Sequence, residues 1–269
     1  MSTPPVALTI AGSDSGGGAG IQADLRAFGR MGAFGASVIT AVTAQNTVGV
    51  TDVHVVPRAS VAAQLDAVLD DLPVAAVKTG MLATAELVTL VADRAAAGRL
   101  PQLVVDPVLV SATGHRLLEQ DAVAVYRERL LPHATIATPN LEEAAVLVGR
   151  QLATLSDAWA AAHELAELGT AIVVVKGGHL DGPHAVDLVV ADGQEHELVA
   201  QRIETRNTHG TGCTFAAATA AGLASRLDPL PALEQAKRYV TDAIVGAASW
   251  RLGAGNGPLD HLGFTARDI

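Results

Sequence analysis

Val6-Ala7-Leu8-Thr9-Ile10 runs directly into Ala11-Gly12-Ser13-Asp14-Ser15-Gly16-Gly17-Gly18-Ala19-Gly20, after which apolar residues fall at Ile21, Leu25, Phe28 and Met31. The first five residues have β character, and the spacing i, i+4, i+7, i+10 draws one apolar face of a helix. The unit is a strand, a glycine-rich loop and a helix. Similar β-rich runs cover Ser37 to Val42, Val74 to Val77, Leu103 to Val105, Ala134 to Ala137 and Ala171 to Val175, with Ala/Leu-rich stretches between them. One of those stretches repeats the helical spacing at Val61, Leu65, Val68 and Leu72. Such alternation predicts an α/β fold, a largely parallel sheet with helices on both faces. From Ala185 to Ile203 the pattern changes to two adjacent runs flanking Asp192-Gly193, a tight-turn signal, so an antiparallel hairpin is expected to close that edge.

The chain has 269 residues, enough for a full core, and no repeat or Pro/Gly/Ser-rich linker divides it, so one domain over 1–269 is expected. A formal charge of −10 and eight aromatic residues offer neither a cationic track nor stacking platforms, which argues against nucleic acid as a partner. Cys213 is the single cysteine and cannot form an internal disulfide. The start MSTPP lacks a signal pattern and no apolar run approaches the roughly 20 residues that span a bilayer, so no membrane partner and a cytoplasmic location are expected. The histidines share no metal-ligand spacing with Cys213, and no zinc site is assigned.

In open parallel sheets ligands sit beyond the carboxyl ends of the strands. The Gly12 to Gly20 loop lets backbone approach a ligand closely, or is simply a flexible turn. It is neither a dinucleotide fingerprint, since Ile21 stands where a third glycine is needed, nor a P-loop, since Gly-Lys-Ser/Thr is absent from the chain. Gln45 and Asn46 follow the second run, where their amides could read the edge of a heteroaromatic ring or satisfy loop backbone. Lysine occurs three times, and two copies, Lys78 and Lys176, end apolar runs just before glycines. An ammonium there is costly unless it meets an anion, so one of the two is expected to contact phosphate, surface snorkelling being the alternative. Asp106-Pro107 follows Leu103 to Val105 and offers a magnesium ligand. Asn140 with Glu143 three residues on resembles a capping box, which is compatible with a metal role.

Asn207-Thr208-His209-Gly210-Thr211-Gly212-Cys213-Thr214 precedes Phe215-Ala216-Ala217-Ala218-Thr219-Ala220-Ala221-Gly222. Glycines exposing successive N–H groups ahead of a small-residue helix make an anion site at the N-terminus of a buried helix. Cys213 falls in the first turn, where the dipole favours a thiolate, so a reactive thiol is expected in preference to an inert packed one.

Taken together, AGSDSGGGAGIQAD, AQNTVGV, VKTGML, DPVLV, TPNLEEA, VKGGH, HGTGCTFAAA and GNGPLDH, in that order along nearly the whole chain, resemble the ribokinase-like superfamily. Within it the likeness is to the hydroxymethylpyrimidine/phosphomethylpyrimidine kinases of thiamin biosynthesis. The resemblance implies a three-layer α/β/α sandwich with a mostly parallel central sheet, MgATP as phosphoryl donor, and phosphorylation first of 4-amino-5-hydroxymethyl-2-methylpyrimidine and then of its monophosphate. It implies that Gln45 bonds the aminopyrimidine edge, with Gly12, Ala19, Asp24, Met81 and Val108 completing the pocket. Asp106 and Glu143 would hold magnesium or its waters, and Asn140, Lys176 and Thr208 would contact nucleotide. Gly210, Thr211 and Gly212 would form the anion hole, with Cys213 where sugar kinases carry an aspartate base. It also implies a homodimer. One departure is Ser111-Ala112-Thr113-Gly114, where many relatives carry a lysine before Ser/Thr-Gly. Gly16 to Gly18 and Val110 to Gly114 are candidate lids. A pyridoxal kinase and a non-catalytic pyrimidine-binding module are the competing readings.

Overall fold

The computed structural model describes residues 3–109, 120–177 and 182–265. The candidate lid at Val110 to Gly114, with the departure it contains, lies outside them, as do His115 and Gly178. Among the described residues nine strands form one sheet in the order β3-β2-β1-β4-β5-β6-β7-β8-β9. The inner strands β1 (Val6–Asp14), β2 (Phe34–Gln45), β4 (Val74–Thr79), β5 (Leu103–Val105), β6 (Ile136–Ala137) and β7 (Ile172–Lys176) are parallel to one another. The expected hairpin is β8 (His184–Ala191) with β9 (Gln194–Gln201), joined through Asp192 and Gly193 at φ 50° and 73°. Two positive φ values in a two-residue loop match the right-handed twist of the strands.

One strand was not anticipated. The edge strand β3 (Val50–Val55) pairs antiparallel with β2, and its residues are almost all exposed. Its valines at 53 and 55 alternate with Asp52 and His54, but the strand is short, and neither of its faces is buried.

Successive residues of the inner strands point to opposite layers. Leu8, Val77, Leu103, Val105, Ala137, Val173 and Val175 face one core, while Ala7, Ala76, Val104, Ile136 and Val174 face the other. Burial on both sides is why these strands read as continuous apolar runs. The first core is covered by α2 (Arg58–Leu69), α3 (Ala85–Ala96), α4 (Gln120–Val125) with the helical turns that follow it to His133, α5 (Leu141–Val148) and α6 (Leu155–Glu167). The second is covered by α1 (Gly20–Arg30), α7 (Thr211–Ala224) and α8 (Pro229–Ala247). Helix α7 is buried on every side from Thr214 to Ala224. Its alanines and glycines allow close contact with α1, α8 and the sheet at once, which fixes where its N-terminus points. Among the described residues no helix is long and apolar enough to cross a membrane.

Candidate functional site

The carboxyl ends of the parallel strands open on one cavity, lined from β1 by Gly12 and Asp14, from β2 by Gln45, from beyond β4 and β5 by Met81, Asp106 and Val108, and from β7 by Lys176. Ala19, Asn140, Glu143, His209, Gly210, Gly212 and Cys213 complete the wall. Twelve of the fifteen site residues expected from the sequence therefore share one space. Asp24, Thr208 and Thr211 do not line it, and neither does Lys78.

Asp24 departs from its expected place in the pocket, and Lys78 shows where it goes instead. Both side chains are wholly buried, with Lys78 Nζ 2.9 and 3.1 Å from the two Asp24 oxygens and Thr9 donating to Asp24 Oδ2 at 2.6 Å. Asp24 therefore bonds inward, away from any pyrimidine, and Lys78 neither meets phosphate nor snorkels. Burial opposes the ammonium, yet Asp24, Cys213 and Asp106 together hold its pKa above the ordinary lysine value.

Lys176 is the open counterpart. Its Nζ donates to Asp106 Oδ1 at 2.8 Å, and Thr138 donates to the same oxygen at 3.1 Å. Asp106 Oδ2 is turned toward Gly212, where a Cβ would lie 3.9 Å from it and 3.0 Å from Lys176 Nζ. A side chain at 212 would thus crowd the space between the helix start and the lysine. The capping box at Asn140 and Glu143 is present in both directions, at 2.9 and 2.8 Å. Burial pushes Glu143 up to about 7, and nearby Asp106 adds to this while Lys176 opposes it.

Three carboxylates line this cavity; Asp14 is bonded to the glycine loop, which leaves Asp106 and Glu143, and no cluster of three or more potential metal ligands exists among the described residues. That donor set fits magnesium, which takes one or two carboxylates and fills its octahedron with water and phosphate oxygens.

Across the cavity, α7 begins at Gly210, whose φ is 87° and whose added Cβ would fall 1.9 Å from the Gly18 carbonyl oxygen. Only glycine allows the two loops to meet. The first N–H groups of a helix have no partner within it, and together they attract an anion. Thr211 N–H turns back to the Thr208 carbonyl at 3.3 Å, so the donors left at the wall are those of Gly212 and Cys213. Thr208 itself is exposed.

The thiolate expectation is overturned. Burial pushes Cys213 up to about 11, with Asp24 and Asp106 adding to the rise and Lys78 opposing it.

Two groups went unread in the sequence. Asp14 accepts from the N–H groups of Gly16, Gly18 and Ala19 at 2.8, 3.0 and 2.8 Å, which ties the candidate-lid glycines to the end of β1. Burial opposes its charge, but His209 and these N–H groups hold its carboxyl below the usual range. His209 Nε2 lies 3.0 Å from Asp14 Oδ2 and 3.3 Å from the Gln45 side-chain amide. The signal for Asp14 was an Asp two residues before a glycine run, the pattern of an Asx turn. The closing segment also gains a role, since Gly257 accepts from His209 N–H at 3.0 Å and Asn256 N–H donates to Thr47 at 2.9 Å.

The family model described as phosphomethylpyrimidine kinase matches residues 14–260. The chain is 51% identical over 259 residues to the hydroxymethylpyrimidine/phosphomethylpyrimidine kinase of Synechococcus elongatus, covering 96% of this chain and 97% of that one. It is 49% identical to the thiamine biosynthesis bifunctional protein ThiED of Geobacter sulfurreducens, covering 97% of this chain but 53% of that protein, so the chain spans about half of the bifunctional relative. Among solved structures, an ADP complex of Bacillus subtilis pyridoxal kinase superposes with a TM-score of 0.89 at 38% identity, covering 96% of this chain and 98% of the other.

Proposed function

The chain belongs to the phosphomethylpyrimidine kinase family, and on that premise we propose that it transfers phosphate from ATP to 4-amino-5-hydroxymethyl-2-methylpyrimidine and then to the monophosphate so formed. It is a phosphotransferase of the ribokinase-like fold. The observation that carries the reading is the meeting, in one cavity, of the α7 N-terminus, the Lys176–Asp106 pair and Gln45.

Gln45 offers one donor and one acceptor to the ring, Met81 and Val108 pack its faces, and the hydroxymethyl oxygen points toward Cys213. The terminal phosphoryl group of ATP rests against the Gly212 and Cys213 N–H groups, with Lys176 beside it. The substrate oxygen forms a bond to phosphorus as the bond to the leaving diphosphate breaks, and the hydroxyl proton is released. A loose phosphoryl transition state asks for alignment and charge stabilisation more than for a strong base, which suits a site whose thiol is neutral. Asp106 and Glu143 would hold magnesium, which when bound neutralises charge on the phosphates. Asn140 lies beside them for nucleotide contact. A homodimer working in the cytoplasm completes the proposal.

The pyridoxal kinase fold match keeps a second alcohol in view, since that ring also bears a hydroxymethyl group. Phosphorus NMR of the purified protein with MgATP and each alcohol separates them. We expect phosphomonoester and then diphosphate signals from the aminopyrimidine. Turnover of pyridoxal alone would overturn the assignment, and no turnover of either would favour a binding module.

A further inference from the structure

The hydrogens around Gln45 can be counted. Thr43 Oγ1 lies 2.9 Å from the Ser13 carbonyl oxygen and 3.1 Å from one end of the Gln45 amide. A hydroxyl has one hydrogen, and a carbonyl can only accept, so that hydrogen goes to Ser13 and Thr43 must accept from Gln45. At the amide's other end, His209 Nε2 faces both Gln45 and the Asp14 carboxylate. The carboxylate already accepts from three N–H groups and can only accept again, so Nε2 directs its one hydrogen toward Asp14, shares it with Gln45, and has no lone pair with which to accept from the amide. Both ends give the same answer: the amide nitrogen belongs on the Thr43 side and the amide oxygen on the His209 side. Ser15 fixes the Gln45 backbone through bonds in both directions at 2.8 Å, which leaves the amide's orientation as the side chain's main freedom.

We propose that His209, held as the Nε2–H tautomer by Asp14, is a positioning residue that locks the Gln45 amide in one orientation and so sets the order of donor and acceptor shown to the substrate ring. The inference rests on the reading that Gln45 meets the aminopyrimidine edge. A locked amide favours a ring that pairs an acceptor nitrogen with an exocyclic amino donor. It disfavours the 4-oxo analogue, whose ring N–H and carbonyl present the reverse order. A freed amide could rotate to suit either ring.

The test is steady-state kinetics on the amino and 4-oxo alcohols for wild type, His209→Phe, His209→Gln, Thr43→Val and Gln45→Ala, with melting curves for each. His209→Phe and Thr43→Val should each raise KM for the amino substrate about tenfold, as loss of one hydrogen bond does, and shrink the amino-over-oxo preference by a similar factor. KM for ATP should stay within twofold and kcat within threefold, and His209→Gln, which keeps a donor, should recover most of the preference. Should His209→Phe not fold, Thr43→Val carries the same test. Nitrogen NMR of the imidazole should report the Nε2–H tautomer in the free protein. Preference unchanged in folded His209→Phe and Thr43→Val, while Gln45→Ala loses it, would overturn the role of His209 and leave the reading of Gln45 standing. Gln45→Ala retaining both affinity and preference would instead remove Gln45 from the substrate, and the inference with it. An Nδ1–H tautomer would also overturn it.

Discussion

Two lysines end parallel strands in this protein, each beside an aspartate, and they do opposite things. Lys78 and Asp24 pair at 2.9 Å with no exposure on either side chain, whereas Lys176 and Asp106 pair at 2.8 Å with the lysine 15% exposed. The local sequences barely differ, Val-Lys-Thr-Gly against Val-Lys-Gly-Gly. What differs is the lid over each. Above Lys78 the chain folds back, with Gly80 N–H donating to Ile10 and the Ala11 side chain close by, and α1 supplies both Asp24 and the covering face. Above Lys176, Gly212 leaves the ammonium facing the α7 N-terminus. The closed pair meets only protein and ties α1 to the sheet. An open pair keeps an oxygen and an ammonium for an incoming ligand.

The sharpest way to break the comparison is to remove one partner from each pair. Lys78→Met leaves the Asp24 carboxylate buried without its counter-ion, a change that costs about 3–5 kcal/mol, and thermal melting should show a severe loss or no folded protein. Replacing both residues, Lys78→Met with Asp24→Leu, should recover much of that stability, because an apolar pair of similar volume removes the stranded charge. Lys176→Met should melt within a few degrees of wild type yet lose on the order of 10² to 10³ in kcat, the scale of losing one preorganised charge stabiliser. If Lys176→Met instead unfolds and Lys78→Met retains stability, the two roles are exchanged.

Smaller effects sharpen the picture. Cys213→Ala should keep measurable turnover, with kcat down about tenfold or less, below the 10²–10⁴ that a positioned general base is worth. Its alkylation by iodoacetamide should be slow at neutral pH and accelerate as pH approaches the raised pKa of about 11. Fast alkylation at pH 7 would restore the thiolate. The mildest effect concerns His261, whose Nε2 lies 2.9 Å from Thr214 in the first turns of α7. Burial pushes its pKa down to about 4, helped by Arg26, so the folded state binds fewer protons than the unfolded one between about 4 and 6.5. Stability from this group is therefore full above about 6.5 and is lost as pH falls toward 4. His261→Gln should flatten the melting profile over that window by a few degrees, read by calorimetry at successive pH values.

The sheet was legible because its inner strands are buried on both faces and so stand out as apolar runs. The hairpin was legible because Asp192-Gly193 states its turn chemistry locally. The α7 anion site was legible for the same reason, glycines followed by a helix of small residues. What escaped depends on distance along the chain. His209 meets Asp14 and Gln45 across 195 and 164 residues, and Asp24 meets Lys78 across 54, so no local pattern marks either contact. The thiolate reading failed for a related reason, since the helix dipole is local while the burial and the carboxylates that raise Cys213 are tertiary. Thr211 was read as one unit with Gly210 and Gly212, but a turn closes from it to Thr208 and takes the Thr211 N–H out of the wall.

The most direct test of the account is a co-crystal of the protein with magnesium, a non-hydrolysable ATP analogue and the aminopyrimidine alcohol. The terminal phosphate is expected against the Gly212 and Cys213 N–H groups within reach of Lys176, with the alcohol oxygen beside Cys213 and the ring edge on Gln45. Phosphate found elsewhere, with Lys176 still closed on Asp106 and the cavity beside α7 empty, would contradict it.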